Sequence, residues 1–487
     1  MQKTHLVALL ALWGSLIPSR AAKLPKYEIT PDLQSALDRI SPNALRGDLS
    51  FLSSDLLEGR GTPSRGLEIA GEFIAAQFRR AGLEPALNGD YFQVADMIVK
   101  RPNMDGFHLE LTSGEHRLSI SPSEAAVETN AALDLKSADL FKFVPADAPK
   151  AEDLDGKVVL VQFHDFRAAR PLLRKAHPAL VIGIGRNTPG EMPDATLVDP
   201  SQQAQAATPR IIVYSSKTTE LYDALKSGLN ERAVSVHVAA PLEEHTKLRN
   251  VIGVLPGSDP PLKDTYVLVT AHYDHLGMKP AGEGDRIYNG ANDDGSGTVS
   301  IIEIANALAG MKKHAGRTIV FMAFFGEEEG LIGAEYYVHH PVFPLSKTVA
   351  DVNLEQLGRT DSSKGKELLN AAPTGYSYSN MIDVFRAAGD HTGIKVYDDS
   401  DTDMYFPASD NYAFAEAGIP AHTFCVAFKY PDYHAVGDEW QKIDFDNMAK
   451  VDRMLALGIE LLGDDANPPQ WNADNPKAKR FADARKQ

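Results

Sequence analysis

The residues with the most chemistry to offer stand directly after short apolar runs. "TYVLVTAHYDHLG" passes from buried-strand composition into His272, Asp274 and His275, and "NGANDDGSGT" sets Asp293 beside Asp294. "RTIVFMAFFGEEEG" leads into Glu327, Glu328 and Glu329, "TVADVNLEQLG" into Glu355, and "DYHAVGDEW" holds His434 just past "PAHTFCVAF". In open α/β sheets, ligand sites gather beyond the carboxyl ends of strands, so these termini deliver imidazoles and carboxylates to one edge. That many carboxylates cannot stay ionised together without a compensating positive charge. The basic residue nearest in sequence to these carboxylates is Arg359, beyond Glu355. A divalent metal supplies the missing charge, and mixed imidazole and carboxylate donors favour zinc over calcium or magnesium. No HExxH helix occurs, so the single-zinc helix design is excluded.

Five donors (His272, Asp293, Glu328, Glu355 and His434) exceed the about three protein ligands of one catalytic zinc. They suit two ions about 3.5–4 Å apart if one carboxylate bridges. Asp274, two residues after His272, emerges on the same face of an extended chain and can accept the second imidazole N–H. Of the adjacent Glu327 and Glu328, one can bind metal while the other meets water as a general base. Each residue alone has an ordinary explanation: a strand-end histidine, a helix cap, a solvated charge run, a partner for Arg359. Their recurrence at consecutive strand ends argues for a site. His275, His339, His340 and His422 read as structural, and Trp440 and Tyr430 as pocket-lining or packing residues.

The elements that must position these groups follow from periodicity. A chain of 487 residues exceeds one compact core, which predicts two domains plus extensions. From Asn250 onward apolar strands alternate with amphipathic helices. This pattern predicts an α/β three-layer sandwich with a mostly parallel central sheet. Residues 35–114 and 246–465 would form that domain, with residues 115–245 an inserted smaller domain carrying its own strands. The Asn-, Pro-, Lys- and Ala-rich tail 466–487 is expected to be loosely ordered. Residues 1–21 have the three-part layout of a secretory signal, which predicts export to the periplasm or beyond, with an apolar run shorter than the about 20 residues of a membrane span. The net charge of −17 argues against nucleic acid or anionic membranes as partners. The single cysteine, Cys425, permits no internal disulfide and reads as a small buried hydrophobe.

In their order, "HYD", "GANDDGSG", "FGEEEGLIGA", "NLEQLG" and "YHAVGDEW" resemble the M28 family of zinc metallopeptidases, and residues 54–85 resemble its N-terminal helical segment. "DLDGKVVLV" and "TPRIIVYS" resemble the protease-associated (PA) domain inserted in many members. The resemblance implies a zinc-dependent exopeptidase fold with two Zn2+ ions bridged by Asp293. Glu328 and His434 would complete one ion, and His272 and Glu355 the other. It further implies Glu327 as general base, Asp274 as the support of His272, a cis Asp293–Asp294 peptide, and Tyr433 polarising the scissile carbonyl. Two positions depart from the pattern: Glu355 stands where aminopeptidase members often have Asp, and Ser409-Asp410-Asn411 replaces Ser-Asp-His. The expected function is an exported di-zinc aminopeptidase acting on peptides with a free N-terminus through metal-activated water. The alternatives are a glutaminyl-cyclase-like acyltransferase, a carboxypeptidase or dipeptidase, and a receptor-like binding protein without catalysis.

Overall fold

The computed structural model describes residues 29–185, 195–202, 208–214, 217–279, 281–399 and 401–486. The signal-like segment 1–21 lies outside them. Six strands organise the main sheet: β1 (Phe92–Arg101), β2 (Leu242–Leu255), β3 (Tyr266–His272), β4 (Thr318–Phe324), β5 (Thr348–Leu354) and β6 (Ala421–Cys425). Every residue of β4, β5 and β6 is buried, because helices cover both faces and leave no side for polar alternation. Strands β4, β3, β5 and β6 run side by side and parallel. Their carboxyl ends therefore share one edge, the edge on which the expected donors stand.

The sheet as a whole is mixed, which corrects the mostly parallel expectation. β2 pairs antiparallel with β4, β1 pairs antiparallel with β2, and Asn370–Pro373 pairs antiparallel with β6. Crossover helices join only the central strands, whereas the chain leaving β1 returns beside it as β2, and such a return reverses direction.

Three layers follow from the side-chain alternation of the central strands. Val267, Val269 and Ala271 of β3, with Ile319, Phe321 and Ala323 of β4, join a core with residues of helices Pro42–Leu52, Arg65–Ala81, Gly297–Ala309 and Phe445–Asp464. Leu268, Val320, Met322 and Phe324 face the other way, toward helices Ile332–His339 and Asn411–Glu416.

Between β1 and β2 the chain builds a second, eight-stranded sheet with a core of its own. Its boundary falls earlier than residue 115. Strand His108–Ser113 pairs with Gly228–Val238 and sends Leu109 and Leu111 into the smaller core. Strand Thr196–Val198, within the inserted stretch, pairs instead with β1 of the main sheet.

The tail is also corrected: it is docked rather than loose. The Trp471 indole N–H donates to the Gly418 carbonyl at 2.9 Å, and helix Lys479–Ala484 buries Phe481 against Phe406 and Trp471. The polar composition dominates the tail's exposed positions, while a few apolar side chains hold it. No helix among the described residues is long and apolar enough to cross a membrane.

Candidate metal centre

β3 ends at His272, whose side chain is fully buried. Across from it the chain enters the irregular segment Ala291–Ser296, where the Asp293–Asp294 peptide is cis, as the resemblance implied. Asp293 reaches two histidines with different oxygens: Oδ1 lies 3.4 Å from His272 Nε2, and Oδ2 lies 3.0 Å from His434 Nε2. Glu328 Oε2 lies 3.4 Å from the same His434 nitrogen. Donor atoms of His272, Asp293 and Glu355 converge within 4.8 Å of one another, and so do those of His275, Asp293 and Glu328. All five expected donors, scattered along the sequence, meet at the edge of the parallel strands.

The groups expected to support them are there too. Asp274 Oδ1 lies 3.5 Å from His272 Nδ1 and accepts the Glu327 backbone N–H at 3.2 Å, so one carboxylate stands beside the imidazole and braces the strand-end turn. Thr62 Oγ1 donates to its other oxygen at 3.2 Å. Glu327 Oε2 stands 3.9 Å from His272 Nε2. Tyr433 stacks on His434 with ring centroids 4.0 Å apart and is half-exposed beside the centre.

Several supports leave no trace in the sequence patterns. Asp438 accepts the backbone N–H groups of Asn292 at 3.0 Å and Asp293 at 3.1 Å, and the Tyr430 hydroxyl donates to it at 3.0 Å. Asn292 Oδ1 accepts the N–H groups of Gly358 and Arg359, both at 2.8 Å, which locks the Asp293 segment to the turn after Glu355. Asp294 Oδ1 accepts from Gly297 at 2.9 Å and Gln356 at 3.2 Å. A Cβ at Gly297 would fall 2.1 Å from the Leu354 carbonyl oxygen, so only glycine lets the helix start this close to β5.

Arg60 is the largest omission. It lies far from the site in sequence, in "LLEGRGTP", yet its guanidinium is fully buried and donates to the carbonyls of Tyr273, Leu52, Asn289 and Gly290 at 2.6–2.8 Å. It thus ties the chain after β3 to the chain before Asp293. Burial pulls it down to about 10, opposed by Asp274, Asp438, Asp294 and Asp293, so it stays cationic at neutral pH. A buried cation does stand among the carboxylates, which corrects the expectation that the nearest basic residue is Arg359. Arg359 itself does not meet Glu355. It bonds Asp361 and Asp432, at 2.6 and 2.8 Å.

One arginine does not balance this much negative charge. Burial, reinforced by Asp293, pushes the Glu355 carboxyl up to about 7 against the pull of His272. Burial likewise drives Glu327 well above the usual carboxylate range, with Glu355 and Glu328 adding to it. Asp293 moves the other way: burial raises it, but the imidazoles of His272, His434 and His275 outweigh that and hold it low. Both ring nitrogens of His272, both of His275, and Glu328 Oε1 are buried without a hydrogen-bond partner. Buried polar atoms left so are costly, and here they point among carboxylates. Nitrogen and oxygen donors arranged this way fit zinc.

Peptidase family M28 matches residues 250–458, the stretch that contributes every one of these donors. Through that stretch the chain is similar to peptidase family M28. The chain is similar to aminopeptidase YwaD of Bacillus subtilis strain 168, at 29% identity over 217 residues, covering 43% of this chain and 44% of that protein. It is also similar to a probable leucine aminopeptidase of Trichophyton verrucosum, at 28% identity over 42% of this chain and 55% of that protein. The chain therefore spans about half the length of the curated relatives it matches. Among solved structures, an aminopeptidase from Aneurinibacillus sp. strain AM-1 superimposes over 91% of this chain and 100% of its own, with a TM-score of 0.59 and 20% identity. That likeness shows the fold alone.

Proposed function

We propose that the chain is an exported di-zinc aminopeptidase that removes N-terminal residues from peptides. The observation that carries this reading is Asp293, which offers one carboxylate oxygen to His272 and the other to His434. Glu355 stands on the His272 side and Glu328 on the His434 side. When bound, two zinc ions supply the Lewis acidity that polarises a scissile carbonyl and activates water.

The remaining work falls to side chains. Glu327 is outside both donor groups and beside them, free to take the proton of the attacking water and pass it to the leaving amine. Its carboxyl, raised by burial, is a stronger proton acceptor than a solvated one. Asp274 fixes the His272 ring and the Glu327 backbone together, which keeps base and donor in register. Tyr433, at the mouth, donates its hydroxyl to the oxyanion. The surplus of carboxylates attracts a substrate's free α-ammonium. The similar proteins carrying aminopeptidase names support the same reading. The inserted sheet is read as a PA-like domain, and residues 1–21 as the export signal.

A carboxypeptidase would need a cation for the terminal carboxylate. Arg359 is engaged by Asp361 and Asp432 and does not offer itself. Hydrolysis of paired aminoacyl substrates, free and N-acetylated, tests the proposal. Turnover is expected only with a free amine. Equal cleavage of N-blocked peptides, or cyclisation of N-terminal glutamine without hydrolysis, would contradict it.

A further inference from the structure

We propose that His275 is a direct donor to the ion held by Asp293, Glu328 and His434, giving that ion four protein ligands. The inference rests on the di-zinc reading and adds a residue to it.

His275 leaves β3 three residues after His272, and its backbone N–H is pinned to the Arg60 carbonyl at 3.2 Å. Its side chain is sealed from solvent, and Nδ1 lies 2.7 Å from Glu328 Oε1. At that distance a hydrogen bond would be expected, yet neither atom has a hydrogen-bond partner. Both residues instead belong to one group of donors that converges with Asp293. Donor atoms of His275, Glu328 and Asp293 converge within 4.8 Å, and the His275 and His434 rings meet edge to face at 5.7 Å. An imidazole with both nitrogens buried and unpartnered is costly unless something takes a lone pair. The competing arrangement, in which His275 merely positions Glu328 by hydrogen bonding, requires the alignment that is missing.

The assignment makes the two ions unequal. The ion of His272, Asp293 and Glu355 has three protein donors, the number that leaves a position open for chemistry. The other has four, and its new donor is sealed where His434 is about a third exposed. The three-donor ion is therefore expected to leave first on chelation.

Zinc-edge anomalous diffraction from zinc-loaded crystals of the full chain tests this, together with chelator competition on His275→Gln. The expected result is His275 Nδ1 about 2.0–2.1 Å from the ion shared with Glu328. In the variant, affinity for one ion falls at least about tenfold while the other ion is retained. His275 Nδ1 more than about 3 Å from both ions, hydrogen-bonded to Glu328 at ordinary Zn–N spacing for the other histidines, would overturn the assignment. Absence of zinc at Asp293 would overturn the di-zinc reading itself, and the assignment with it.

Discussion

Glu327→Gln is expected to lower kcat by about 10²–10⁴-fold, the range that a positioned general base supplies. Zinc content should not change, because Glu327 belongs to neither converging donor group. The substitution keeps the side chain's shape and leaves the backbone N–H free to donate to Asp274, so the turn after β4 has no cause to move. Substrate binding, read from KM, should shift much less than kcat, since the lost function is proton transfer in the transition state. Initial rates on a free aminoacyl substrate, with zinc measured on the same sample, separate these effects. Activity within a few-fold of the parent protein would remove Glu327 from its role.

Arg60→Met is expected to cost about 3–5 kcal/mol of stability, the usual penalty for stripping one side of a buried charge arrangement. Methionine fills much of the space but donates nothing, so the carbonyls of Leu52, Tyr273, Asn289 and Gly290 lose their partner together. Asp274, Asp293, Asp294 and Asp438 lose a cation buried beside them. Denaturant unfolding of parent and variant reads the loss. A change below about 1 kcal/mol would show that the guanidinium does not brace these loops. Zinc affinity should fall as well, because the chain carrying Asp293 is one of the two that Arg60 ties together.

Much of the donor set is legible in the sequence. Strand ends can be read because buried parallel strands are short unbroken apolar runs, and His272, Glu327, Glu328 and Glu355 follow theirs directly. Convergence of the donors then follows from the rule for ligand sites in such sheets. His434 is legible only as a residue just past the last strand, since it sits in a loop at φ +52° with no periodicity to locate it more closely. Edge direction is not legible: a strand such as β2 looks the same whether its neighbour runs with it or against it, and only the return from the inserted sheet decides.

The supports hide for a different reason. Arg60, Asp438 and Asn292 act through backbone groups distant in sequence, and a side chain that bonds carbonyls or N–H groups leaves no spacing pattern. Arg60 does carry one signal, an arginine between two glycines just before a helix. His275 reads as structural in the sequence because its neighbour in space, Glu328, stands beyond a helix and a further strand. The tail misleads through composition, as Trp471 and Phe481 are few among many polar residues.

Zinc per chain, measured on purified full-length protein during stepwise chelation and read against aminopeptidase activity, tests the shared-carboxylate centre most directly. Two ions are predicted, with activity falling as the first one leaves and returning when zinc is restored. Full activity in protein stripped of metal, or saturation at a single ion, would contradict a pair of cations joined through Asp293.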